Sequence, residues 1–299
     1  MTDIRWLGTV DGDAINVNNY SPAQLPIDDD TLIIEHNDAL DADRDIDTNL
    51  DGLAAVRLAL LVKRRSYLAN VGTQAAYLEI GFAEAHLEEH AGQGSPGGSP
   101  RLKIDIPFFS GEAGPRIIVH GSCQTSQETF LPPIRLLTDA TDAQLIVRGG
   151  TVGLAVEGGE TSAINAVQAS GGNVVIGEGV TFAGTDPEIV NVGATVRVRT
   201  AVATIENQGG TLTTEGNGAV TTIVAEGGTV NSNSSGTVSK IWPNGGTVDL
   251  TRSREARTVT DIETRAGATG VLKYDPDVVT VTNAPVWGGP VQISLSPAA

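Results

Sequence analysis

The chain of 299 residues contains one cysteine and one methionine. Cys123 alone can form no internal disulfide, and a lone small thiol reads as a buried core residue. Aromatic residues make up only 4% of the chain, too few to fill a wide interior with rings. The 4 histidines, His36, His86, His90 and His120, all lie in the first half, and no Gly-x-Ser-x-Gly elbow accompanies them. A phosphate loop and a dinucleotide fingerprint are both missing. No apolar run reaches the roughly 18 residues of a membrane-spanning helix. Met1-Thr2-Asp3-Ile4-Arg5 lacks the basic and apolar regions of a signal peptide, so a protein made or assembled in a cytoplasm is expected. Basic residues are scarce, 19 against 36 acidic, for a net charge of -17. Nucleic acids and anionic membranes both call for clustered cations, so neither is an expected partner.

What the chain has is glycine, 36 residues of it, arranged in a repeat. Gly149-Gly150-Thr151-Val152 returns as Gly171-Gly172-Asn173-Val174 and Gly193-Ala194-Thr195-Val196. It returns again as Gly209-Gly210-Thr211-Leu212, Gly227-Gly228-Thr229-Val230, Gly245-Gly246-Thr247-Val248 and Gly267-Ala268-Thr269-Gly270, at steps of 22, 22, 16, 18, 18 and 22 residues. A period near 20 with a turn signal opening each copy marks a solenoid. Within a copy, apolar residues alternate with Thr, Ser or charge, which is the strand period. The paired glycines allow positive φ at the corner. Such short strands are stable only when stacked. One aliphatic ladder is therefore predicted through Val152, Val174, Val196, Leu212, Val230 and Val248, and a second through Ile205, Ile223, Ile241 and Ile262.

The expected fold class is all-β, a single-stranded parallel β-helix (β-solenoid) with a small β-rich N-terminal docking segment. Residues 1–50 form that acidic segment, with 51–145 as irregular early coils carrying a Gly/Ser/Pro loop at 92–100. Residues 146–283 are the regular β-helix and 284–299 its C-terminal cap. Leu53 to Val62 reads as helix or buried strand, with early coils preferred because strand-like Tyr77-Leu78-Glu79-Ile80 and Ala85-His86-Leu87-Glu88 follow.

Residues 1–51 hold 13 acidic and 2 basic residues, an asymmetry suited to a basic partner. Trp6 and Tyr20 read as anchors of a local core with an interface role open. With Asp28, Asp29 and Asp30 they are the candidate docking residues. Asp41, Asp43, Asp45 and Asp47 alternate as in a calcium loop, but Ile46 stands where the turn glycine belongs and Gly52 where the bidentate glutamate belongs. A solvated acidic loop is expected instead. His86 and His90, four apart, read as a surface pair. No metal, cofactor or catalytic residue is assigned. The carboxylates that adjacent coils could bring together for glycoside cleavage are Glu157 with Glu178, or Glu215 with Glu226, and the available aromatic platforms are Trp242, Tyr274 and Trp287. Most acids are scattered singly, so no enzyme is expected.

A resemblance rests on several pieces together. These are Trp6-Leu7-Gly8, the turn Asn18-Asn19-Tyr20-Ser21-Pro22 and Asp28-Asp29-Asp30-Thr31-Leu32-Ile33-Ile34. Further pieces are Tyr77-Leu78-Glu79-Ile80-Gly81, Gly94-Ser95-Pro96-Gly97-Gly98-Ser99, Pro132-Pro133-Ile134-Arg135-Leu136-Leu137 and the Gly-Gly-Thr-Val coils through Thr260. They resemble β-helical structural proteins of tailed-bacteriophage virions, over most of the chain. The resemblance implies a right-handed coil and a homotrimer on the virion. It implies a capsid decoration or cement protein whose partners are itself and the major capsid protein, or alternatively a tail spike or fibre that recognises host polysaccharide. A cellular β-solenoid adhesin is a third reading, disfavoured by the N-terminal sequence.

Overall fold

The computed structural model describes residues 2–40, 42–46, 53, 56–67, 69–72, 77–88, 102–106, 116–121, 132–184 and 187–295. Among them there is no α-helix, only a single 3-10 turn at Val17–Asn19. The strands form a sheet of 14, a sheet of 11 and a third of 2. The first four strands all join the larger sheet; from Arg57–Lys63 onward the chain alternates between the two large sheets, apart from the two strands of the small third sheet, and neighbours within each sheet come from successive coils. Every pairing is parallel except Tyr20–Ser21 against Asp3–Trp6. The chain is a β-solenoid.

Two expected ladders hold in register. Val152 pairs with Val174, Val174 with Val196, Val196 with Leu212, Leu212 with Val230, and Val230 with Val248. Ile205, Ile223, Ile241 and Ile262 stack the same way in the larger sheet. All of these side chains are buried. Inward positions alternate with outward ones, so each added coil removes a row of branched aliphatic groups from water, at about 25 cal/mol per Å² of apolar surface. The last phrase behaves differently. Val248 pairs with Leu272, not with Gly270, because the corner from Ile262 to Leu272 is three residues longer than that from Ile241 to Val248. Gly270 itself lies against the Pro243 carbonyl, where a side chain would collide.

The glycine pairs do two separate jobs. The second glycine of four pairs, Gly150, Gly172, Gly210 and Gly228 (φ +62), sits in the left-handed region. The first, Gly227, has no such φ, but a Cβ there would collide with the Gln208 carbonyl of the coil below. A Cβ on Gly228 would likewise strike the Gly210 carbonyl. Coils thus approach backbone to backbone at the corner. Two fully buried asparagines secure it. Asn191 accepts from the Ala194 N–H (2.8 Å) and donates to the Asn207 side chain (2.8 Å), and Asn207 donates onward to the Gly227 carbonyl (2.6 Å). Each satisfies a backbone group that the turn would otherwise leave buried and unpaired.

The first 50 residues are continuous with the solenoid. Asp3–Trp6 pairs with Thr31–Ile34, and that strand pairs with Arg57–Lys63. The strand reading therefore holds for the segment that sequence left between helix and strand. Trp6 meets Tyr20 edge-on at 5.2 Å and donates its indole N–H to the Tyr67 hydroxyl (3.0 Å). Tyr20 donates to the Ala14 carbonyl (2.6 Å). Burial raises both phenols above their ordinary pKa. At the opposite end, residues 286–288 add backbone pairing to the last coil. Val286, Trp287, Ile293 and Leu295 at this end are exposed, while the inward Leu272 and Val279 of the last coil are buried. The loop at 92–100, Cys123 and His90 lie outside the described residues.

Gly228→Ala isolates the corner. Glycine-to-alanine changes at compatible sites stabilise modestly. Here we expect a loss of at least about 1–2 kcal/mol from the positive φ alone, read as a lower urea midpoint at unchanged slope. An unchanged midpoint would mean that the corner tolerates a side chain.

Candidate functional site

The five residues expected to dock on a partner are not a surface cluster. Trp6 and Tyr20 are 2% and 3% exposed and belong to the aromatic cluster above. Asp30 is 3% exposed, and its carboxylate accepts from the Thr2 (2.8 Å) and Ile27 (3.2 Å) N–H groups. Asp28 accepts from the Arg57 N–H (2.8 Å). Asp29 adopts a positive φ and donates its own N–H to the Arg57 carbonyl. The acidic run is a turn that ties the first coil to the next, and only Asp28 and Asp29 reach the surface. The acidic loop is likewise bonded, not simply solvated. Asp43 faces His36 at 2.9 Å, while Asp45 accepts from both the backbone (2.8 Å) and the side chain (3.1 Å) of Asn70. Asp41 and Asp47 lie outside the described residues.

One expected carboxylate pair does share a cleft. Glu157 and Glu178 line a cavity of about 470 Å³, together with Glu160, Arg199 and a rim that includes Gly158, Gly159, Gly177 and Gly179. The cleft lies beside the small sheet formed by Ser162–Ile164 and Val180–Phe182, which gives these coils a third strand. Arg135 bonds to both Glu157 and Glu160. Glu160 also accepts from the Glu157 N–H (2.9 Å), and the guanidinium stacks over the Tyr77 ring at 4.9 Å. Arg199 is directed to Glu215 (3.2 Å). Arg135 therefore engages Glu157 and Glu160, while Glu178 lines the same cleft with no cation on its carboxylate among the described residues. Glu215 and Glu226, the other pair, follow strands of different sheets and meet different cations, Arg199 for the first and Arg265 (2.9 Å) for the second. Trp242, a candidate sugar platform, carries Lys240 and Arg265 within 5.5 Å and 5.3 Å of its ring centre.

A second cluster escaped the sequence. Glu84 and His86 lie two apart on the outward face of Gly81–Leu87, and His120 on Arg116–Gly121 is the register partner of His86. The two imidazoles stack 4.2 Å apart at 8°. Oε1 of Glu84 is 2.8 Å from Nε2 of each ring. The contact to His86 is an aligned hydrogen bond, whereas Nε2 of His120 is shielded from solvent with no aligned partner. Burial first, then the nearby His86 and Arg148, holds the His120 imidazole below its ordinary pKa against the pull of Glu84. Burial pushes Glu84 up, but the His86 hydrogen bond and both imidazoles outweigh it and lower its pKa. The expected partner of His86 was His90, on helical spacing. Because the segment is a strand, His86 instead faces a residue on the next coil. The Glu-x-His alternation was the available signal. The register that brings His120 alongside was not readable.

Only the fold class is defined to this point, a parallel β-solenoid with polar clusters built across coils. No family model, curated protein or solved structure matches the chain.

Arg135→Met tests the cleft. Removing the cation leaves Glu157 and Glu160 close together without compensation. A loss of about 2 kcal/mol is expected, below the 3–5 typical of a fully buried pair because Glu157 is partly solvated. Glu157→Gln/Glu160→Gln in the same background should restore most of it. Denaturant unfolding reads both, and no loss in the single variant would mean that the ion pairs are loose.

Proposed function

We propose that this chain is a non-enzymatic structural protein of a tailed-bacteriophage virion, a capsid decoration or cement protein that binds the outer shell as a homotrimer and stabilises the head. The observation carrying this reading is the outer face of the smaller sheet. Thr195, Thr211, Thr229 and Thr247 form one in-register column on it. Beside Arg197, Thr213, Asn231 and Asp249 on the same face, strands about 4.8 Å apart make this column a flat stripe of short, β-branched, uncharged groups. Those groups lose little rotamer freedom on contact and bury no unpaired charge. A symmetric trimer multiplies one such face three times. The sequence resemblance supports the virion setting, and the hold of Arg135 on Glu157 and Glu160 supports a non-catalytic role.

Docking on the shell falls to exposed acids such as Asp28 and Asp29, since Trp6, Tyr20 and Asp30 are interior. Deleting residues 1–35 is a poor test of docking. It would strip three strands from the larger sheet and expose the core beneath them. Charge reversal at Asp29 is the cleaner probe. The cleft beside Glu178 favours a second reading, a tail spike or fibre that holds host polysaccharide.

Two measurements decide. Quantitative mass spectrometry of purified particles should find about one copy per major capsid subunit, and a handful per particle would favour the spike. Sedimentation should find a trimer that Thr229→Arg converts to a folded monomer. A trimer unaffected by that change would move the contact to another face.

A further inference from the structure

We propose that Glu84, His86 and His120 form a binding site for a borderline divalent transition ion of the Zn²⁺ type, which bridges two successive coils of the larger sheet. Three observations converge. The three potential ligand atoms, one from each side chain, all lie within 4.8 Å of one another. The two Nε2 atoms approach the same carboxylate oxygen at 2.8 Å. Nε2 of His120 is shielded from solvent and meets Glu84 Oε1 at 2.8 Å outside hydrogen-bond alignment, a buried polar atom whose poor satisfaction calls for an explanation.

The donor set fixes the class of ion. Two imidazoles and one carboxylate suit Zn²⁺, Co²⁺, Ni²⁺ or Cu²⁺. Ca²⁺ and Mg²⁺ take oxygen cages instead. Ligands about 2.0–2.1 Å from a tetrahedral metal stand roughly 3.3 Å apart, so the two 2.8 Å carboxylate–imidazole separations need only open slightly, with the rings tilting out of their stack. Glu84 and His86 have side chains 38% and 44% exposed, which leaves the fourth position facing water. The backbone supplies the rigidity. Glu84 and His86 share one strand face, and the flanking inward residues Ala85 and Leu87 are buried in the core. The groups around the triad are Val62 on the preceding strand, aligned with His86, and Arg148, which follows Val147 on the next strand and so extends the row beyond His120. Arg148 is the one cation beside the cluster among the described residues, and it opposes binding through repulsion.

The test uses the full-length, metal-stripped protein titrated with Zn²⁺, and with Co²⁺ as a spectroscopic probe. One ion per chain is expected, with Co²⁺ giving the intense visible bands of a four-coordinate site. His86→Ala and His120→Ala should each weaken Zn²⁺ by ~100-fold or more, beyond the 10–100-fold typical of outer-shell changes. Glu84→Gln should weaken it less, and Arg148→Ala should tighten it severalfold. Circular dichroism and the metal-free unfolding midpoint establish that each variant is folded. His36→Ala, His90→Ala and Cys123→Ser should leave binding unchanged. Two results would overturn the proposal: no Zn²⁺ binding by the folded wild type at millimolar ion, or binding that survives His120→Ala. Loss of binding in a control variant together with retention in His86→Ala would also overturn it, by assigning the ion to other ligands.

Discussion

Everything in this molecule depends on one constraint, the close parallel pairing of each coil with the coil before it. Strands of three to six residues have no stability alone. They persist because every N–H and C=O of a strand is taken up by neighbours above and below, and because inward side chains fall into columns of like shape. The constraint is most severe at the corners, where no side chain separates the two backbones. That is why glycine recurs there in pairs, and why Asn191 and Asn207 are buried at positions where their side chains stand in for absent backbone partners. Earlier in the chain the same column is aliphatic: Val119, Val147 and Ala169 run into Asn191 and then Asn207. The column changes from apolar to polar without changing register.

This explains what could be read from the sequence and what could not. The regular coils were legible because the glycine phrase marks each corner, and a strand period of two then sets which residues face inward. Val152 to Val248 and Ile205 to Ile262 could be aligned from the corners alone. The phrase failed at Gly270, where a longer corner moved the ladder to Leu272. The first coils lack the phrase, so the N-terminal acids read as a separate docking segment, whereas Asp28 and Asp30 bind backbone groups of the first coils. Nothing local distinguishes an aspartate that caps a turn from one that awaits a partner. For Asp28 the difference lies in Arg57, 29 residues later, whose N–H donates to its carboxylate.

The polar clusters were harder still, because a solenoid builds them across coils. Arg135 with Glu157, Arg199 with Glu215, Lys240 with Glu263, Arg265 with Glu226, and Glu84 with His120 each join residues on different coils. Their sequence separations vary with corner length, so no fixed spacing reveals them. Glu157 and Glu178 could be paired in advance only because both follow corners of the regular repeat.

The same dependence limits what such a scaffold can evolve. In a globular enzyme a loop can carry a catalytic group to its target with little effect on the core. Here a one-residue change in a corner would flip every side chain of the next strand between inside and outside. Sites on the flat faces are therefore fixed as rigidly as the core beneath them, which favours shallow, repeated contacts and prearranged ligand sets such as the Glu84, His86 and His120 triad. Deep pockets need an added strand, as beside Ser162–Ile164, and there Arg135 already holds two of the cleft's three glutamates. A fold with these properties suits symmetric assembly and preformed surface sites better than it suits chemistry that must rearrange around a substrate.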